Sequence, residues 1–291
     1  MNLYMAGDMI NGNPSKSLLL FTIPMILGNL FQQMYNIVDS IVVGKFVGPD
    51  ALAAVGISTS ITFLFIAVAT GISIGSAVFI SQLFGAGKLG QMKTAISTVL
   101  ISVLCLSSFL MIVGLAANKA ILQFMNTPSN IFEDAQSYLR IYFFGIVFLF
   151  LYNAFTAVYN ALGDSITPLI FLIISAVINI VLDILFVIRF SMGVSGVAWA
   201  TLIAQVISAT LSFVNLLYRI KKMNVKEEAA IFDKHILVKV SKIAIPSTIQ
   251  QSIVSVGMLL VQALVNGYGS VVVAGYTAAT KIDSIAIQPM V

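Results

Sequence analysis

The chain of 291 residues is too apolar to be a water-soluble protein. Hydrophobic residues make up 59% of it and charged residues only 9%, against about 45–50% and about 25% in soluble domains. The formal net charge of +4 would suit a nucleic-acid partner only if the basic residues formed a patch, and they lie instead between apolar segments.

Eight apolar segments are each long enough for a membrane-spanning helix, which needs about 20 residues. They are much longer than the roughly ten-residue strands of a membrane barrel, so we expect an all-α, polytopic membrane protein. The first segment is too long for the apolar part of a cleavable signal peptide and should stay in the membrane. The segments are residues 17–41, 52–81, 94–116, 138–161, 168–189, 194–218, 240–266 and 270–291.

Basic residues fall mainly on one side of the predicted membrane. With a cytoplasmic N-terminus, ten of them are cytoplasmic and four are external, which the positive-inside rule favours. The positive charge is therefore explained by topology, which excludes the nucleic-acid interpretation. The cytoplasmic residues are Lys16, Lys88, Lys93, Arg219, Lys221, Lys222, Lys226, Lys234, Lys239 and Lys242, and the external ones are Lys45, Lys119, Arg140 and Arg189.

The seventh segment repeats a feature of the first. Ile23-Pro24 recurs as Ile245-Pro246, and both copies begin on the predicted cytoplasmic side after a basic stretch. Such parallel repeats are typical of two-lobed transporters. The second copy has Val261 where the first has Asp39, or Leu260 if the repeat slips by one residue, so the acid is not repeated. The predicted units are a first lobe of six helices at 1–218, a cytoplasmic linker at 219–239 and the start of a second lobe at 240–291.

Polar residues inside the apolar segments recur every three or four positions, so each set lies on one helix face. Amides facing lipid are costly, so these faces should look at one another or at a wet cavity. Interhelical hydrogen bonding is the alternative, and both interpretations stay open for the Ser and Thr members. The sets are Asn29, Gln32, Asn36 and Asp39; Asn153, Thr156 and Asn160; Ser175, Asn179 and Asp183; Thr201, Gln205, Ser208 and Ser212; and Gln251, Ser255, Gln262 and Asn266.

Two carboxylates, Asp39 and Asp183, are the most unusual members of these sets. Each costs about 2.5–3.5 kcal/mol near the centre of a membrane helix. Counting the helical rise of about 1.5 Å per residue along the segments places both acids, Asn179 and Thr201 in the outer half of the membrane. We expect these four residues to form a site for Na⁺ or a proton. Snorkelling to the interface is the alternative for Asp39, which is the nearer to it, and also for Asp183.

Other residues give weaker signals. Lys281 and Asp283 lie two apart in the last segment, so they cannot share a helix face, and both are candidates for the cavity lining. Gly71 and Gly75 predict close packing of the second segment. A membrane-embedded enzyme is disfavoured because the only histidine, His235, lies in a predicted loop. The only cysteine, Cys105, is flanked by leucines and is expected to be buried, with no disulfide.

Four motifs are spread along the chain. They are Ile23-Pro24 with Gln32-Gln33, Tyr35-Asn36-Ile37-Val38-Asp39 and Gly44; Gln82-Leu83-Phe84-Gly85-Ala86-Gly87; Ala161-Leu162-Gly163-Asp164-Ser165 with Pro168; and Asn179-Ile180-Val181-Leu182-Asp183. In combination they resemble the multidrug and toxic compound extrusion (MATE) family, and the resemblance spans the whole chain. It implies twelve helices in two six-helix lobes, alternating access, and export of organic cations or amphipathic drugs driven by entry of Na⁺ or H⁺. About eight of the twelve helices would be present, as in a truncated protein or fragment.

The resemblance also implies site residues. It is closest to the branch with a cation site in the first lobe, which Asp39, Asn179, Asp183 and Thr201 match; for the fourth-segment amide we choose Asn153. The other branch uses a glutamate in the seventh segment, and this chain has none there. Further cavity candidates are Asn36, Gln33, Asn160, Gln205, Gln251 and Asp283.

The resemblance further implies a monomer in the cell membrane, in a bacterium the inner membrane, in contact with lipids and without a cofactor beyond the coupling ion. Two alternatives remain. A lipid-linked oligosaccharide flippase has a similar architecture but is expected to carry several basic residues in its cavity. A non-transporting fragment or scaffold would bind neither substrate nor ion.

Overall fold

The computed structural model describes residues 13–223 and 230–287, and within these ranges the chain is helical without a β-strand. This confirms the predicted all-α fold. A π-helical turn at Leu185–Arg189 extends the fifth helix. The helices are α1 Pro14–Phe46, α2 Pro49–Gly85, α3 Leu89–Phe124, α4 Phe132–Ala161, α5 Ile166–Ile184, α6 Gly193–Lys222, α7 Lys234–Asn266 and α8 Ser270–Ile287.

The described helices correspond one to one with the predicted segments. Seven of them, α1 to α7, are long and apolar enough to cross a membrane. The last segment extends to residue 291, and its end lies outside the described residues. Most helices are several residues longer than their segments because a hydropathy pattern registers only the apolar part, whereas capping groups set the helix end. In α1, Asn13 accepts a hydrogen bond from the backbone N–H of Ser15 at 3.1 Å, and Pro14 opens the first turn.

We call the end of the bundle at which α1, α3, α5 and α7 begin the proximal face, and the opposite end the distal face. At the proximal face a tight turn joins α4 to α5. Gly163 adopts a positive φ of 78°, which an L side chain rarely tolerates. The next residue, Asp164, accepts hydrogen bonds from the backbone N–H groups of Ile166 and Thr167 at 3.1 and 3.0 Å. Asp164 thus satisfies two of the free donors at the start of α5.

Helix α2 packs against α4, α7 and α8 and joins the predicted first lobe to the start of the second. Gly71 and Gly75 allow this approach. A Cβ at Gly75 would lie 2.6 Å from the Cα of Ala244 in α7, and one at Gly71 would overlap the backbone of Thr248. Small residues one turn apart let two membrane helices approach until their backbones touch. The close packing predicted for these glycines is confirmed.

Helices α1, α5, α6 and α4 pack in that order as an open ring, in which α1 and α4 make little or no contact, and α4 also packs against α2. α1 packs on α5, α5 on α6, and α6 on α4, whereas α1 touches α6 only slightly and α4 touches α5 only slightly. The diagonal gap between these pairs leaves room for a cavity.

Two local expectations were wrong. Cys105 is exposed on α3 because in a membrane protein apolar neighbours indicate contact with lipid as readily as burial. His235 is not in a loop: it is the second residue of α7, where Asp233 accepts its backbone N–H at 2.7 Å. It is exposed there.

Candidate cation and substrate site

A cavity of about 210 Å³ lies inside the ring of α1, α4, α5 and α6. Its wall mixes apolar residues with amides and hydroxyls, and four of the five polar stripes converge on it. Of the residues that the structure describes along this wall, none is Lys or Arg. The polar lining consists of Asn29, Gln32, Tyr35, Tyr152, Asn153, Thr156, Asn160, Ser165, Ser175, Asn179, Thr201, Gln205 and Ser208.

The two acids meet just beyond the distal end of this cavity, next to the wall residue Asn179, and neither acid is itself part of the wall. Asp183 is completely buried and Asp39 is 9% exposed. Their carboxyl groups lie within hydrogen-bonding distance of each other, although they belong to different helices. Asp39 therefore faces the interior of the bundle rather than the membrane interface.

Asn179 connects the acids to α6. In the amide orientation that matches donors with acceptors, its Nδ2 donates to Asp39 Oδ1 at 3.0 Å and its Oδ1 accepts from the backbone N–H of Thr201 at 3.3 Å. Asn179 is 2% exposed. One buried amide thus links α1, α5 and α6 beside the acid pair.

The carboxylates of the acid pair accept few hydrogen bonds. Within the described ranges, neither carboxylate oxygen of Asp183 receives an N–H or O–H bond, and Thr201 Oγ1 has no partner. Two adjacent carboxylates with so few donors are strongly unfavourable in a dry interior unless a proton or cation lies between them. The arrangement therefore requires positive charge.

The available ligands suit a small, exchangeable cation. The described residues contain no cluster of three or more His, Cys, Asp or Glu side chains that would hold a resident metal ion. The two carboxylates and the hydroxyl of Thr201 are hard oxygen ligands, the type that binds alkali and alkaline-earth cations. The same carboxylates can share a proton.

The other predicted residues divide into two groups. Asn153, Asn160 and Gln205 line the cavity, and Asn153 also donates to the backbone oxygen of Leu149 at 2.8 Å. Gln33, Asn36, Gln251 and Asp283 are not part of its wall. Asn36 instead donates to Gln33 at 3.4 Å, and Asp283 is exposed on α8.

The stripe on α7 serves packing rather than the cavity. Ser60 of α2 donates to Gln262 at 3.1 Å, Gln262 donates to Asn266 at 2.8 Å, and Asn266 donates to the backbone oxygen of Met125 at 2.8 Å. This chain of bonds fastens α7 to α2 and to the distal end of α3. For this helix the interhelical alternative is the better description.

Sequence reasoning missed two tyrosines and a proline in the cavity wall: Tyr35, Tyr152 and Pro24. A signal existed for Tyr35, since it lies three positions after Gln32 and four before Asp39, on the same face of α1. The stripes contain amides, acids and the hydroxyls of Ser and Thr, and the phenol of Tyr35 belongs to the same polar face.

A charged cluster lies at the proximal end of the cavity, next to Ser165. Arg219 of α6 forms an ion pair with Asp164 at 2.6 Å and donates to Thr167 Oγ1 at 2.8 Å. Its guanidinium carbon also lies 5.3 Å from the ring centroid of Tyr159. The cluster joins α6 to the α4–α5 turn, so both ends of the cavity are held by charged residues.

The chain matches one known protein family over more than half of its length. The MatE family model matches residues 24–185. The probable multidrug resistance protein YpnP of Bacillus subtilis (strain 168) is 32% identical over 290 residues, which are 98% of this chain and 63% of that protein.

Two solved structures match with similar coverage. One, described as the MATE multidrug transporter DinF-BH in complex with a ligand, has a TM-score of 0.87 and 27% identity, covering 94% of this chain and 62% of that one. Another, described as MATE in the bent conformation, has a TM-score of 0.82 and 26% identity, covering 98% and 64%. The chain thus spans less than two thirds of the length of each of these proteins.

Proposed function

The chain belongs to the MatE family, and from this premise we propose that it serves in export of cationic or amphipathic drugs by antiport with Na⁺ or H⁺. The observation that carries the proposal is the buried Asp39–Asp183 pair next to a polar cavity, whose wall residue Asn179 donates a hydrogen bond to Asp39. Its requirement for positive charge gives an inward-moving cation a place to bind. The cavity beside it, lined by amides and aromatic hydroxyls, suits an amphipathic substrate.

Coupling can proceed through Asn179. The amide of Asn179 and a bound cation both need the same carboxylate of Asp39. A cation that takes over this carboxylate weakens the bond that holds α1 to α5. Ion and substrate then influence each other through the position of α1, as linkage between two sites requires.

Pro24 supplies a point at which α1 can move. Proline inside a helix removes one backbone hydrogen bond and favours a bend, and Pro24 lies in the cavity wall. Bending at Pro24 would change the cavity volume while the distal part of α1, which carries Asp39, stays near Asp183.

The orientation follows from the basic residues: the proximal face is cytoplasmic and the acid pair lies nearer the outside. Cations would therefore reach the pair from the external side, as an inward gradient requires. The protein would act as a monomer surrounded by membrane lipid, without a cofactor other than the coupling ion.

The test is drug efflux from vesicles that contain the full-length protein, with Na⁺ and proton gradients imposed separately. We expect Asp39→Asn and Asp183→Asn each to abolish coupled efflux, because a single remaining carboxylate binds a cation much more weakly. Asp134→Asn is the matched control, since Asp134 is exposed in the first turn of α4. Undiminished efflux in both acid variants would refute the proposal.

The gradient that drives wild-type efflux identifies the coupling ion. The flippase alternative is not favoured, because no basic residue is found among the described residues of the cavity wall. Membership in a transporter family confirms the prediction that the chain is not an enzyme.

A further inference from the structure

A lysine on α8 lies within electrostatic range of Asp39. Lys281 is half-buried within an apolar helix, and its charge interacts with that of Asp39. An ammonium group inside a membrane helix is as unfavourable as a carboxylate and normally pairs with an opposite charge or with backbone carbonyls. Lys281 belongs to the predicted second lobe, whereas Asp39 and Asp183 belong to the first.

Helix packing fixes the direction of this lysine. Val273 and Thr277 are buried on α8, and Lys281 follows Thr277 by four positions, which places it on the same face. Thr277 sits directly against Gly56 of α2, where a methyl group on the glycine would overlap it. The face of α8 that carries Lys281 is therefore turned towards the first six helices.

The ammonium group of Lys281 can reach the depth of the Asp39 carboxylate. Lys281 lies three helical turns after Ser270, where α8 begins, and Asp39 lies two turns before Phe46, where α1 ends. With the helical rise of about 1.5 Å per residue, the two Cα atoms lie about 16 and about 10 Å from the distal face. The four-carbon stem of a lysine spans the difference, and α1 and α8 are in contact.

We propose that Lys281 is a built-in counter-ion of the acid pair, so that the site accepts one monovalent cation in each transport cycle. Two carboxylates and one ammonium leave a single negative charge, which one Na⁺ or one proton neutralises. Without the lysine, the pair would carry two negative charges and favour two monovalent cations or one divalent cation. This inference rests on the proposed function.

Because Lys281 lies on the second lobe, its attraction to Asp39 acts between the two lobes. Attraction between Lys281 and Asp39 holds α8 against α1 while the site is empty. A cation bound at Asp39 neutralises that attraction and repels the ammonium group, so it weakens the contact between the lobes. By linkage, separation of the lobes must strengthen cation binding to the same degree.

The experiment uses the full-length protein in proteoliposomes and counts ions entering per drug molecule leaving, from ²²Na⁺ uptake or an internal pH dye and from loss of the drug. We expect one ion per drug in the wild type and two in Lys281→Met. We also expect the half-saturating concentration of the coupling ion to fall about tenfold or more in Lys281→Met, because a neighbouring positive charge is removed. Lys281→Arg keeps the charge and should retain the wild-type ratio.

Lys45→Met is the matched control. Lys45 lies six residues after Asp39 but is exposed at the distal end of α1, where water screens its charge. Its removal should leave the ion ratio unchanged and the half-saturating concentration within about twofold. An unchanged ratio and affinity in Lys281→Met would overturn the inference, even if the acid variants abolish coupling. If the acid variants leave coupling intact, the proposed function itself fails.

Poor folding of Lys281→Met does not end the test. Removing both partners together should then recover the thermal stability of the protein, since neither charge is left buried alone. A double variant Asp39→Asn/Lys281→Met that is no more stable than Lys281→Met would show that the two charges are not paired, and would equally overturn the inference.

Discussion

Asp164 performs two separate tasks at the proximal end of the cavity, and two substitutions distinguish them. One carboxylate oxygen caps α5 by accepting two backbone N–H groups. The other forms the ion pair with Arg219 and accepts a hydrogen bond from the hydroxyl of Thr167 at 2.6 Å. Asp164→Asn retains an oxygen for the cap but removes the charge, whereas Asp164→Ala removes both. The difference between the two variants isolates the cap.

The exposure of the ion pair sets the expected loss of stability in each Asp164 variant. The Arg219 and Asp164 side chains are 28% and 15% exposed, so the ion pair lies between an exposed pair worth about 0–1 kcal/mol and a buried pair whose rupture costs about 3–5 kcal/mol. We expect Asp164→Asn to lower the free energy of unfolding by about 1–2 kcal/mol. Asp164→Ala should cost about 1 kcal/mol more through loss of the cap.

The assay is denaturation of the purified full-length protein in mixed detergent micelles, with the two variants compared under identical conditions. A double-mutant cycle of Asp164→Asn with Arg219→Met should give a coupling energy of about 1 kcal/mol. A coupling energy near zero would refute the account of the ion pair. Equal destabilisation by the Asn and Ala variants would refute the account of the cap.

Three further predictions concern the packing and the site. Gly75→Leu should lower the free energy of unfolding by about 1–3 kcal/mol or more, because the new side chain meets the backbone of α7. Gly85→Leu is the control, since a Cβ at Gly85 meets nothing within 4 Å. Equal unfolding curves for the two variants would contradict the packing of α2 on α7. Asn179→Leu should weaken coupled efflux by about tenfold or more, since Asp39 loses a hydrogen bond worth about 1.5–3 kcal/mol; unchanged ion dependence in the vesicle assay would count against its linking role. Gln262→Leu should lower the free energy of unfolding by about 1–3 kcal/mol while leaving the ion-to-drug ratio unaltered. An altered ratio would show that the polar face of α7 takes part in transport.

The sequence predicted the helices well because the signal is local. Apolar runs separated by Gly, Pro and charged residues specify where a membrane helix starts and stops. The 3.6-residue period also determines which side chains share a face, so periodicity alone was enough to draw the stripes on α1, α4, α5 and α6. The cost of a carboxylate in hydrocarbon drew attention to Asp39 and Asp183.

The amino-acid sequence alone therefore specifies the helices and the polar face of each helix. Which of these faces meet depends on how the helices pack. The stripes on α1 and α7 look alike in sequence, yet that on α1 borders the cavity while that on α7 bonds to α2 and α3. Likewise, only packing brings Lys281 near Asp39 and Arg219 onto Asp164, although each pair is far apart along the chain. Periodicity describes rotation about a single helix axis, whereas the neighbour that a face meets depends on how separate helices fill space together.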